Sequence, residues 1–271
     1  MGKVIYHYCS MNCFLKIIKS KSLWLTDASS MNDTMECQWH LRHVDKYLGE
    51  YMQQGGDEKI GDSLRDIIRQ NTTSRFLACF SENGDLLSQW RGYADDGRGI
   101  AIGFDIDKID ITNEFPTMSV VAAHQLGLCQ IEYDESIQYV LIEHLLDDFL
   151  KDDKKNYYNL IRCSILSSMF KNSAFKEEQE WRIVYVPIIT TNEDFTSAKI
   201  MGDGLPHDFR DTKYGISPYF IWYFSKCKEN PIVDIVIGPQ NRTKHEDICL
   251  LLTDNKYDNF KMRYSTASYR N

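Results

Sequence analysis

One α+β domain is the fold class this sequence predicts, and three observations lead there. Strand-like and helix-like segments follow one another without a regular βαβα rhythm. No repeat or low-complexity linker divides the 271 residues, so 1–271 reads as a single domain. Hydrophobic residues make up 43% of the chain, enough for a sizeable core.

The elements follow in order. Val4 to Cys9 is β-branched and aromatic and reads as a strand. Ser10 caps a helix whose apolar face is Phe14, Leu15, Ile17 and Ile18. Leu23 to Thr26 is a second short strand. Asp33 and Glu36 have the D-x-x-E form of a capping box, which opens a helix running to about Tyr51. Leu64 to Ile68 lies in another helix. Arg75 to Ser81 and Gly99 to Asp105 are strands flanking a turn-rich segment with one short helical turn, and the second pairs antiparallel with a neighbour. Gln125 to Tyr133 is a strand, followed by helices over 136–150 and 156–171. A strand over 181–187 comes next. Residues 188–223 read as irregular with short extended pieces. Ile232 to Gly238 is a buried strand, Glu246 to Leu252 a helix, and Phe260 to Tyr264 a last strand.

Composition narrows the function classes. The formal charge is −8 with no Lys/Arg-rich block, so the broad footprint of a duplex nucleic-acid binder is not visible. Eight cysteines form no C-x-x-C pair, and several sit in apolar runs; they read as reduced thiols of a cytoplasmic protein. No apolar run has signal-peptide or membrane-span length. Glycine-rich dinucleotide and P-loop fingerprints are lacking. The seven histidines are scattered, and His40 with His43, three apart on a predicted helix, reads as surface; no metal site is expected.

Four polar clusters stand at strand ends. In Tyr6-His7-Tyr8, side chains alternate, so His7 faces away from the two tyrosines. It is either a strand histidine bonded to a backbone carbonyl or a donor to a ribose hydroxyl or phosphate. The capping box accounts for Asp33 and Glu36 but not for Asn32. Ser81 precedes Ser88-Gln89-Trp90-Arg91-Gly92-Tyr93, where Trp90 and Tyr93 share a helical face. They either pack in the core or wall a planar ring, with Arg91 near phosphate. Finally, Glu178 and Glu180 form E-x-E at the mouth of an apolar strand. If the strand begins there, both point to one face with Arg182: either Arg182 neutralises Glu180 as a structural pair, or the two carboxylates divide roles, one stabilising developing positive charge and the other orienting a nucleophile.

Together these stretches form the order YHY, LWLT, MND-x-x-E, CFS, LLSQWRGYAD-x-G-x-G-x-x-IGFD, F-x-x-E-x-E-WR, IVIGP and STASYR. The order resembles a large bacterial family known as a domain of unknown function. That family in turn is similar to the ADP-ribosyltransferase superfamily, in its branch with a His-Tyr-Glu triad. The resemblance implies a mixed, mostly antiparallel split sheet flanked by helices, and NAD as cofactor. It implies that His7 contacts the adenosine-side ribose and that Tyr93 or Trp90 stacks on nicotinamide. Glu180 would bond the 2′-hydroxyl of the nicotinamide ribose, and Glu178 would position or deprotonate a macromolecular acceptor. Tyr6, Tyr8, Asn32, Ser81 and Arg91 complete the expected NAD-binding set. A role in toxin–antitoxin or phage defence, with an antitoxin or defence partner, follows by analogy. Two rivals use the same residues: an NAD hydrolase or nuclease, the latter with Mg²⁺ on Glu178, Glu180, Asp33 and Glu36, and a nucleotide-sensing module without turnover. On the catalytic reading, Glu180→Gln abolishes turnover with stability near wild type.

Overall fold

A computed structural model describes residues 2–30, 38–70, 73–151, 156–212 and 215–267. Its elements are β1 (Val4–Cys9), α1 (Met11–Ser20), β2 (Ser22–Asp27), α2 (Trp39–Gln53), α3 (Glu58–Gln70), β3 (Phe76–Ser81), α4 (Leu87–Tyr93), β4 (Ile100–Asp105), α5 (Ala122–Gln125), β5 (Leu126–Gln130), α6 (Glu135–Lys151), α7 (Tyr158–Leu166), β6 (Glu180–Tyr185), β7 (Ile188–Thr191), β8 (Ala198–Met201), β9 (His207–Thr212), β10 (Gly215–Tyr223), β11 (Ile232–Ile237), α8 (His245–Asp254) and β12 (Lys261–Tyr264). The fold is α+β around a mostly antiparallel sheet in the order β12-β11-β4-β1-β3-β2-β10-β9, with β6 on β3 and β5 on β6. Among the described strands, β11 and β12 alone pair in parallel.

The sheet forks at β3. One edge of β3 pairs with β6 along its whole length, from Phe76↔Tyr185 to Ser81↔Glu180. The other edge is shared: β1 meets it at Tyr6↔Ser81, and β2 meets it at Thr26↔Leu77 and Asp27↔Phe76. Between those contacts β1 and β2 part from β3, and the backbone of residues 78–80 faces a gap instead of a strand. This fork positions the site.

Local rules explain the elements around it. Ser10 is extended, and its hydroxyl accepts from Cys13 N at 3.3 Å, capping α1. Phe14, Ile17 and Ile18 then face the core with Leu23, Leu25, Phe80 and Phe104. Each such side chain contributes roughly 1.5–3 kcal/mol on burial. The turn into β4 needs Gly99, because a Cβ there would lie 2.1 Å from the Cys9 carbonyl oxygen. A second apolar cluster joins α2, α3, α6 and α7 through Val44, Leu48, Leu64, Ile142, Leu146 and Leu160.

Two expectations need correction, and a third falls outside the described residues. Residues 188–223 contain four strands, of which β10 runs nine residues and pairs with both β2 and β9. Exposed apolar residues, Phe209 in β9 and Ile216 in β10, together with Pro218, mask the alternation of these two strands in the sequence. His40 and His43 are not surface residues but are 4% and 5% exposed, on the inner face of α2. Helix α2 begins at Trp39; the predicted capping box at Asp33 and Glu36 lies outside the described residues. Among those residues no helix is long and apolar enough to cross a membrane.

Candidate functional site

The gap at the fork opens into a cavity of about 370 Å³, within the size range of small-molecule sites. Its walls come from β1 and α1 (His7, Ser10, Lys16), β2 (Trp24, Thr26), β3 (Cys79), α4 (Gln89, Tyr93) and the glutamates 178 and 180, with Arg210 of β9. His7, Tyr93, Glu178 and Glu180, far apart in the chain, therefore meet at one cavity.

His7 pairs with Ile102 of β4 and faces the gap on its β3 side. Its Nδ1 lies 2.9 Å from the Cys79 carbonyl oxygen, which makes Nδ1–H the donor and leaves Nε2 an acceptor. Burial holds the ring's pKa below its ordinary value despite that bond, so the imidazole is neutral at pH 7. Tyr6 and Tyr8 turn their rings away from His7, as alternation requires, while Tyr8 still borders the cavity. The Tyr6 hydroxyl donates to Asp234 at 3.0 Å. Tyr8 donates to the Asn83 carbonyl at 2.7 Å and packs edge-on against Trp90, with ring centroids 4.8 Å apart.

Helix α4 divides the pair expected to share a face. Trp90 is fully buried and donates its indole N–H to Asp85 at 2.8 Å. Tyr93 is 46% exposed and reaches the cavity. Burial of its hydroxyl, and then the nearby Glu178, push that group up to about 12. Seven residues complete barely two helical turns, and the i,i+3 relation does not hold both rings against one wall. Asp85 also accepts from the Ser265 hydroxyl and from Thr266 N at 2.7 Å, tying the C-terminal STAS stretch to the start of α4. Ser81 is 1% exposed and donates to the Glu178 carbonyl at 2.7 Å, so it fixes the E-x-E backbone from outside the cavity. Arg91 is exposed on α4 and is not part of the cavity wall. Asn32 lies outside the described residues.

The glutamates do not both belong to the strand. Glu178 ends a 3₁₀ turn (Ser173–Glu178), Gln179 is left-handed at φ 43°, and Glu180 opens β6. That kink, rather than strand alternation, brings both carboxylates together. Lys171 holds them: its Nζ lies 2.6 Å from Glu178 Oε2 and 2.9 Å from Glu180 Oε2. Arg182 is 1% exposed and grips Glu180 from Nε to Oε1 at 2.6 Å and from Nη2 to Oε2 at 3.0 Å. Burial alone would push the Glu180 carboxyl up. Arg182 and then Lys171 outweigh it and bring the pKa down to about 2, so Glu180 is ionised at pH 7.

Lys171 is the residue that sequence reasoning missed. It is 5% exposed at the end of a helical run, and no spacing rule marks it. A buried amide places it: Gln138 donates to the Lys171 carbonyl at 3.0 Å and to the Glu132 carbonyl at 2.7 Å, while its oxygen accepts from Trp39 and His43, each at 2.9 Å. Every polar atom of Gln138 is thereby used. Arg210 was missed for a different reason, since its strand was read as irregular. Among the described residues, no group of three or more His, Cys, Asp or Glu side chains could hold a metal ion.

Residues 89–183 match the profile of a family described as a protein of unknown function, DUF2971. The matched segment runs from Gln89 in α4 to Ile183 in β6 and includes Tyr93, Lys171, Glu178 and Glu180. No curated protein and no solved structure matches the chain.

Proposed function

We propose that the forked cleft binds NAD and that the chain transfers ADP-ribose from it to a macromolecular acceptor. The observation that carries this reading is the convergence of His7, Tyr93, Glu178 and Glu180 on one cavity from four separate elements. Nicotinamide stacks against Tyr93, the adenosine-side ribose lies near His7 Nε2, and Glu180 accepts from a hydroxyl of the nicotinamide ribose. The bond between nicotinamide N1 and ribose C1′ breaks, and nicotinamide leaves with the bonding pair. The acceptor's lone pair forms the new bond at C1′, and its proton passes to Glu178. The carboxylates favour the oxocarbenium-like centre in a site shielded from bulk water.

A specific observation supports a second reading, a nucleotide-binding module without turnover. Two carboxylates face two buried cations, so the cluster carries no net negative charge with which to favour a cation. For the nuclease rival, Lys171 already occupies the place between the glutamates where Mg²⁺ would sit, and Asp33 and Glu36 lie outside the described residues.

The ion pairs also revise what Glu180→Gln should do. An amide there leaves Arg182 and Lys171 buried with half their compensation, so stability falls along with any turnover. Turnover is therefore best read on Tyr93→Ala, which exposes no buried charge. NAD labelled on the adenylate side, incubated with protein and fractionated lysate, tests the reading. Label in a protein, RNA or DNA fraction that disappears with Tyr93→Ala supports transfer. NAD that binds and stays intact supports the module; NAD that does not bind ends both.

A further inference from the structure

The cavity has a second charged end, built from cations rather than carboxylates. Strand register separates the two. Glu180 is level with Ser81, at the C-terminal end of β3. Arg210 is level with Ser217, two residues beyond Tyr219, which pairs with Thr26, which in turn pairs with Leu77. Arg210 thus stands past the opposite end of β3. Both residues nonetheless border the same cavity, which makes it elongated.

Arg210 differs from the other arginine of the site. Arg182 is bound to Glu180 on two nitrogens. The Arg210 side chain makes no ion pair or hydrogen bond among the described residues, and its Nε is buried. Its neighbour Asp208 is turned to the Tyr219 hydroxyl at 3.3 Å. Lys16 of α1 lines the same cavity and likewise makes no ion pair among the described residues; its Nζ sits 5.7 Å from the centroid of the Trp24 ring. Trp24 is 39% exposed and stacked on Tyr219 at 4.0 Å and 24°. A buried guanidinium nitrogen without an acceptor costs free energy, and an arginine fork matches a phosphate's oxygens. Among the described residues the Arg210 guanidinium meets no acceptor, and it borders the cavity, so a ligand in the cavity is the natural source of one.

We propose that Arg210 and Lys16 form a phosphate subsite, so that the cleft selects phosphorylated nucleotides, a nucleoside diphosphate unit in particular, over neutral nucleosides. This rests on the cleft being a nucleotide site, and it adds which end takes the phosphates. The diphosphate lies between the two cations, with the Trp24 face beside it as a platform for a base. The sugar at the other end reaches Glu180.

Calorimetric titration of the full chain with ADP-ribose and with adenosine tests it. The expected result is ADP-ribose binding at least tenfold tighter than adenosine. Arg210→Gln and Lys16→Gln each lower ADP-ribose affinity roughly tenfold, the scale of one charge-assisted contact, without changing adenosine affinity. Arg210→Lys keeps the charge and retains most of the affinity. Both side chains lie at the cavity wall outside the apolar core, and an unchanged thermal midpoint verifies the fold of each variant. Equal binding of the two ligands, or glutamine variants that bind ADP-ribose like wild type, overturns the subsite while leaving the cleft a nucleoside site. Binding of neither ligand overturns the nucleotide reading itself, and the subsite with it.

Discussion

Glu180 and His40 are buried to the same degree, 5% and 4% exposed, and they meet that burial in opposite ways. Glu180 stays charged because Arg182 and Lys171 supply three contacts within 3.0 Å. Among the described residues His40 has no hydrogen-bond partner on either ring nitrogen. Burial, then the neighbouring Arg75 and His43, drive its pKa down to about 3, so it is neutral at pH 7. A charge survives in a protein interior where counter-charges are fixed beside it, and is given up where they are not. The comparison also separates the two regions chemically. The β6 mouth holds a permanent ionic cluster, whereas α2 presents a neutral ring, without a partner among the described residues, to a cavity of about 350 Å³ that also borders Arg69 and Arg75.

The largest effect should come from breaking the ionic cluster. Arg182→Met leaves Glu180 with Lys171 alone, and about 3–5 kcal/mol of stability should be lost in urea unfolding. Adding Glu180→Leu should restore most of that loss. If the single variant loses under 1 kcal/mol, the cluster is not compensated in the way its distances suggest.

Acid should come next. Glu180 is depressed from 4.5 to about 2, so its contribution is complete above the unfolded value and is lost as pH falls from about 4.5 toward 2. The shift corresponds to about 3 kcal/mol. Wild type should therefore lose stability steeply across that window, and Glu180→Gln, already weaker, should show a shallower slope. Parallel slopes would mean that other carboxylates dominate acid unfolding.

His40 sharpens the contrast in a higher window. Its folded pKa lies below its unfolded value of 6.5, so the unfolded chain binds the proton first. Stability attributable to the neutral ring is complete above pH 6.5 and falls as pH drops toward 3. His40→Leu removes two unpartnered nitrogens and should raise stability at pH 7 by roughly 1 kcal/mol. It should also flatten the decline between pH 6.5 and 4.5. A destabilised variant would show that the ring nitrogens are satisfied in solution.

The smallest stability effect belongs to Tyr93→Phe. The ring is half exposed and no hydrogen bond among the described residues fixes it, so the change should stay within about 0.5 kcal/mol in thermal unfolding. A larger loss would make Tyr93 part of the ionic cluster rather than a ligand-facing wall.

The sequence by itself determined most of the secondary structure. The β-branched runs of β1, β3, β4 and β11, the Ser10 cap and the apolar spacing of α1 are local signals, and local signals survive in one dimension. Residues His7, Tyr93, Glu178 and Glu180 were legible for a similar reason, since polar groups at the ends of apolar strands stand out. β9 and β10 were not legible, because exposed apolar positions blur their alternation, and Arg210 was lost with them. The tertiary structure alone decided which charges are neighbours. Lys171 reaches both glutamates because Gln138 holds its carbonyl and because Gln179 turns left-handed between them. The fork at β3 opens a cavity because β1 and β2 each pair with only one end of that strand. Pairing between strands and salt bridges across a buried mouth depend on contacts distant in the chain, and no window along the sequence contains both partners.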